Sequence, residues 1–115
     1  MKRLTFALVL ATATPVVAQA PQSSPAPRSI YAISAAGLGS AMTYCMAKHG
    51  ELREGSPAAN CFARARTVLA AADARRHAEQ ADARCADAAT FNECITPEVG
   101  RFVYALNGEF SRQAL

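Results

Sequence analysis

Thr96-Pro97-Glu98-Val99-Gly100-Arg101-Phe102-Val103-Tyr104-Ala105-Leu106-Asn107-Gly108-Glu109-Phe110 is the stretch that decides the fold. Val99, Phe102, Val103, Leu106 and Phe110 recur at helical spacing and make one apolar face. Thr96 stands where an N-cap belongs, and Pro97 at the first helical position, where its missing N–H costs nothing. Glu98 is then an acid in the first turn, favoured by the helix dipole. The pattern predicts a helix that starts at Thr96-Pro97.

Working upstream, Thr90-Phe91-Asn92-Glu93 between Cys85 and Cys94 has the form of a capping box for one helical turn. Ser56-Pro57 is a second cap-and-proline start. Behind it Cys61, Phe62, Ala65, Val68, Leu69 and Ala72 form an apolar stripe at helical spacing. From Asp73 to Arg84 the chain keeps its helix-forming residues but loses large apolar ones, which predicts a solvated continuation of the same helix, kinked or frayed. Asp73 with His77 and Arg75 with Glu79 are neighbours there at (i, i+4), and His77 reads as a solvated side chain.

Residues 30–48 predict the first helix, ended by His49-Gly50. Ile30 through Ala47 carry no charge, a length that meets the requirement for a membrane span. Ala, Gly, Ser, Thr and Tyr dilute the apolar residues, so a buried helix is the better reading. Ala32, Ala36 and Ser40, and Ala35, Gly39 and Thr43, recur at spacing four and predict a close-packing face. Gly37-Leu38-Gly39 is no phosphate loop, since no strand precedes it and a third glycine is missing. No stretch alternates with period two. The fold class expected is all-α, a small three- to four-helix bundle.

The N-terminus sets the compartment. Met1-Lys2-Arg3 is cationic, Leu4 to Ala11 is a compact apolar run, and small residues follow to Ala20. That is the layout of a cleaved secretory signal peptide, residues 1–18. Cutting after Ala18 is preferred, because cutting after Ala20 would put Pro21 next to the scissile bond. Cleavage removes Lys2 and Arg3 and lowers the formal charge from +3 to +1. Residues 19–28, rich in Pro, Ser and Gln, read as a disordered tether. Residues 29–115 read as the folded domain, periplasmic or secreted.

Export gives the four cysteines their meaning. Cys45, Cys61, Cys85 and Cys94 are expected as two disulfides in an oxidising compartment. A continuous helix over 57–84 would hold Cys61 and Cys85 about 36 Å apart, far beyond the ~7 Å that a disulfide spans. Cys45 lies one turn before the end of the first helix and Cys61 one turn into the second, facing positions at the root of an antiparallel hairpin. Cys85 and Cys94 bracket the next turn. The pairing expected is therefore Cys45–Cys61 and Cys85–Cys94.

Several functions find no support. Cys45 and His49 have a spacing that can present two metal ligands, but no second pair matches it. Arg64, Arg66, Arg75, Arg76 and Arg84 do not form a one-sided basic strip, which argues against nucleic acid. No carboxylate pair or Ser/His/Asp set marks an active site, and no cofactor is called for. The reading is a non-enzyme without stable membrane insertion after cleavage.

Two resemblances sharpen this. Asn92-Glu93-Cys94 followed by Leu106-Asn107-Gly108-Glu109-Phe110 resembles the lysozyme-inhibitor-like family of small secreted helical domains. In that family a cysteine is followed at this distance by Leu-Asn-x-x-Tyr. Here Val103 replaces an expected Asp, Phe110 replaces Tyr, and the Cys85-to-Cys94 spacing is short. Gly39 to Cys45, then Cys61, then Cys94-Ile95-Thr96-Pro97-Glu98-Val99 is similar to the helical immunity proteins that protect the periplasm against type VI secretion amidase toxins. The Tyr and Gly that commonly follow that family's second cysteine are missing. Both resemblances imply a small helical inhibitor or immunity protein whose partner is a peptidoglycan hydrolase. The alternative is a structural or envelope-stress helical protein with no dedicated enzyme target. In the loop Gly50-Glu51-Leu52-Arg53-Glu54-Gly55, Leu52 and Arg53 are candidate partner-binding residues.

Overall fold

The computed structural model describes residues 25–115, so the signal-peptide segment 1–18 and residues 19–24 of the tether lie outside the described residues. Four helices follow one another: α1 (Ile30–His49), α2 (Pro57–Ala71), α3 (Ala74–Arg84) and α4 (Phe91–Arg112). There is no strand among the described residues. α1 and α2 form one hairpin, α3 and α4 a second, and the core lies between them around Ile33, Phe102, Leu106 and Phe110.

Two disulfides staple the hairpins at their turns. Cys45 and Cys61 are bonded with Cα atoms 5.6 Å apart, and Cys85 and Cys94 with Cα atoms 5.8 Å apart. The sequential pairing stands, although the long helix invoked to exclude Cys61–Cys85 does not exist. The geometry of each hairpin root is what selects it.

α2 stops at Ala71. Ala72 turns extended, and Asp73 caps a new helix by accepting the Arg76 N–H at 3.0 Å. A short carboxylate offers the backbone this alternative to helix continuation, and here it prevails. Asp73 consequently pairs with the Arg76 guanidinium at 3.1 Å rather than with His77. Arg75 and Glu79 pair as expected, also at 3.1 Å.

α4 begins earlier than its proline suggests. The single turn read at Thr90–Glu93 and the helix read from Thr96 are one helix, with Pro97 inside it. Cys94 is held by its disulfide, and Ile95 is buried against Ala81 and Cys85, so packing carries the helix through the proline. Thr96 is no cap: its hydroxyl donates back to the Asn92 carbonyl at 2.9 Å. The Thr90 hydroxyl meets Glu93 at 3.1 Å without capping a backbone N–H.

The buried line on α1 is Ile33, Gly37, Ala41 and Cys45. It has the expected spacing of four but is rotated from the expected face; Ala32, Ala35, Gly39 and Thr43 are exposed. The staple explains the rotation, because Cys45 must face α2 and the residues four, eight and twelve before it follow. Gly37 is where the helices come closest. A Cβ there would lie 2.7 Å from Leu69 Cδ1 and 3.1 Å from Phe102 Cε2.

Both ends of the described chain are docked. Ser29 is buried; its N–H donates to the Asp82 carboxylate at 2.9 Å and its hydroxyl to the Ala78 carbonyl at 2.9 Å. Arg28 stacks its guanidinium over the Phe91 ring at 3.9 Å. Residues 25–28, read from composition as the end of the tether, are thereby tied to α3 and α4. At the other end the Leu115 N–H closes on the Phe110 carbonyl at 3.2 Å and buries the Leu115 side chain.

Candidate functional site

Charge is distributed unevenly over the bundle. α1 carries none from Ile30 to Ala47. On α4, the exposed residues Thr96, Gly100, Tyr104 and Gly108 follow at spacing four, again without charge. The charged residues of α4 lie beside this stripe or at its two ends, where Glu93 and Arg112 stand exposed. Glu98 and Arg101 join Arg84 of α3, and Glu109 lines a cleft at the α2–α3 break. Between those ends the stripe from Thr96 to Gly108 carries no charge, and it adjoins the uncharged helix α1.

That face is apolar and open. Tyr104 on α4 is 84% exposed; Tyr31, Met42 and Met46 stand exposed on α1, and Leu38 lines a separate cleft with Arg66 and Arg75. Between the helices runs a shallow groove of about 380 Å³ lined mainly by Ala36, Gly39, Thr43, Ala47 and Val103. A hydrogen bond from Ser40 to Asn107 at 3.0 Å bridges α1 and α4 at the groove. Cβ atoms added at Gly39, Gly100 or Gly108 would meet nothing within 4 Å. A helix-interior glycine is disfavoured by about 1 kcal/mol relative to alanine. Unlike Gly37, these three are not required by packing within the chain.

A second feature sits on the opposite flank. Glu98, 4% exposed, is buried between α3 and α4 and accepts from three partners. His77 Nδ1 lies 2.7 Å from Oε2, while Arg101 and Arg84 reach Oε1 at 3.0 and 3.3 Å. Burial pushes the carboxyl pKa up, but the hydrogen bonds from His77, Arg101 and Arg84 outweigh it and hold it at about 2. An ionised carboxylate only accepts, so His77 Nδ1 is a donor. The imidazole also packs edge-on against Phe102, centroids 5.3 Å apart, which fixes its orientation.

Sequence reasoning missed this cluster because it placed Glu98 in an exposed first turn and His77 in solvent. The available signal was the spacing of Glu98 and Phe102, which puts the acid on the same face of α4 as the core residue. The other sequence candidates lie in the α1–α2 turn. Leu52 is half-buried, and Arg53 is exposed, pairs with Glu51 at 3.6 Å and donates its backbone N–H to the Ser56 hydroxyl at 3.1 Å. The structure does not bring them to the Glu98 cluster, and neither lines any of the clefts described here. Cys45, once oxidised, is no metal ligand, and no group of three or more His, Cys, Asp or Glu among the described residues is placed to hold a metal ion.

Comparison of the chain with protein-family models, with curated proteins and with solved structures gave no match. The two disulfides and the apolar N-terminal segment fit an exported protein.

Proposed function

We propose that this protein is an exported, non-catalytic helical binder that docks on a protein partner through its α1–α4 face. The partner class is a peptidoglycan hydrolase, a lysozyme or an amidase toxin, which it blocks. The observation that carries docking is the groove between α1 and α4, lined without a charged side chain, with the largely exposed Tyr104 next to its Val103 and three glycines that intrachain packing does not use. Tyr and Met are enriched at protein interfaces, where charged residues are depleted from the centre. A cross-linked scaffold loses little entropy on binding, as tight inhibition demands. The choice of hydrolase rests on export together with the two family resemblances.

The test is a cell-wall lysis assay. Oxidised protein from Gln19 onward is titrated against a lysozyme and a peptidoglycan amidase. Stoichiometric inhibition is expected from the native protein and from Arg66→Ala, and at least tenfold weaker inhibition from Tyr104→Ala and Thr43→Glu. Folded protein that inhibits neither enzyme would refute the hydrolase target and favour the structural or envelope-stress role.

A further inference from the structure

The sequence of α4 holds a second helix start beside the one in use. The helix begins at Phe91, with Pro97 inside it. The other start is Thr96-Pro97-Glu98, a cap residue, a proline at the first position and an acid behind it. The start in use works against local chemistry. Pro97 has no N–H for the Glu93 carbonyl, and a residue before proline is driven out of the helical region in which Thr96 is held. At the second start both costs vanish. Pro97 needs no donor there, and Thr96 takes the extended backbone of a cap. Its hydroxyl then turns from the Asn92 carbonyl to the N–H of Glu98 or Val99.

Residues 91–95 are kept helical by contacts outside α4. Cys94 is bonded to Cys85, Ile95 is buried against Ala81 and Cys85, and Phe91 lies under the Arg28 guanidinium. Beyond the proline, Glu98 with His77 and Arg84, and the buried Phe102, hold α4 in place whichever start is used. A change of start is therefore confined to 91–95. The bond that enforces the upstream start is also the accessible one. Cys45 and Cys61 are wholly buried and Cys85 nearly so, while Cys94 is partly exposed. Thiol–disulfide exchange requires access to the attacked sulfur, so a reductant meets Cys94 first.

We propose that the Cys85–Cys94 bond is a redox switch that selects the start of α4. A dithiol reductant attacks the Cys94 sulfur and forms a mixed disulfide, and Cys85 leaves as a thiolate that takes up a proton. The reductant's second thiolate then closes on its first sulfur, and Cys94 leaves and is protonated in turn. The dithiol is oxidised to a disulfide, its electron pair reduces the Cys85–Cys94 bond, and its protons end on the two cysteines. Residues 91–95 then leave the helix, α4 starts at Thr96, and Phe91 parts from Arg28. The switch lies apart from the groove between α1 and α4 and does not depend on the identity of the protein partner.

The test is a titration of the oxidised, ¹³C- and ¹⁵N-labelled protein with dithiothreitol. Alkylation of the freed thiols, read by peptide mass spectrometry, is expected to mark Cys85 and Cys94 at least about tenfold faster than Cys45 and Cys61. At that stage the Cα chemical shifts of 91–95 should fall to coil values while those of 98–110 stay helical. Cys85→Ser/Cys94→Ser should show the same shifts without reductant. Pro97→Ala removes the second start and restores the missing donor, so its reduced form should keep 91–95 helical. Equal alkylation of the four cysteines, helical 91–95 after selective reduction, the same loss in Pro97→Ala, or unfolding of all of α4 would each overturn the proposal.

Discussion

Glu98 and His77 meet at 2.7 Å across the α3–α4 interface, the acid almost wholly buried and the imidazole mostly so. No disulfide crosses from the first hairpin to the second, and within the second this pair acts at the middle of the helices, away from the Cys85–Cys94 staple. It makes stability depend on acid. The carboxyl is held at about 2, below its ordinary 4.5, so the folded state binds fewer protons than the unfolded one between those values. Stability from this group is present above pH ~4.5 and is lost as pH falls toward about 2.

The size of that loss is bounded. The full difference amounts to roughly 3 kcal/mol. Because Arg84 and Arg101 remain 42% and 60% exposed, solvent screening reduces the expected value to about 1 to 2 kcal/mol. Glu98→Gln should lose that amount at pH 7 in urea denaturation and nearly match the native protein at pH 2. A variant with an unchanged pH profile would show that the pair does not contribute to stability.

Gly37 and Gly39 should respond oppositely to alanine. At Gly37 the new methyl lies 2.7 Å from Leu69 Cδ1 and 3.1 Å from the Phe102 ring. Leu69 can swing aside but Phe102 forms the core, so Gly37→Ala should cost about 1 to 3 kcal/mol from overpacking. Gly39 faces open space, and Gly39→Ala should gain up to about 1 kcal/mol in helix propensity. Thermal melts of the two variants give shifts of opposite sign if the packing is as described.

Pro97 carries a cost that α4 does not need. Inside the helix it removes the hydrogen bond to the Glu93 carbonyl and crowds that group. Pro97→Ala should stabilise the protein by about 1 to 3 kcal/mol in the same denaturation experiment. A loss of stability would mean that the proline is required to seat Ile95 and Phe102 together.

The staples should differ in weight. Chain entropy assigns about 3 kcal/mol to the Cys45–Cys61 loop and about 2.6 kcal/mol to the shorter Cys85–Cys94 loop. Cys45 and Cys61 are both wholly buried, whereas Cys94 is half-exposed, so Cys45→Ala/Cys61→Ala also leaves a cavity. The first double variant should melt lower than Cys85→Ala/Cys94→Ala. Calorimetry of the two checks the order.

The all-helical class, the hairpin staples and the apolar face of α4 were legible in the sequence because helical periodicity and cysteine spacing are local. What was not legible depended on tertiary choices. Asp73 works equally well as a cap or as a surface partner of His77, and only packing against α4 selects the cap. Thr96-Pro97 is a sound helix start on its own, but the Cys94 disulfide and the burial of Ile95 just before it draw the helix back to Phe91. The rotation of α1 follows from the Cys45 bond, whereas the equally spaced Ala35, Gly39 and Thr43 advertise the wrong face. Glu98 was misread for the same reason as Thr96. Once the helix starts at Phe91, the acid falls in its second turn, facing α3.

Both covalent bonds join cysteines that are adjacent in the sequence. A chain oxidised in the order in which it emerges therefore reaches its native pairing by linking each new thiol to the one before it. In that order Cys45 would be consumed by Cys61 before Cys85 appears, and no wrong bond would have to be undone. Such a chain would need an oxidant but no reshuffling of bonds, its two closed hairpins packing together around Phe102 and Leu106.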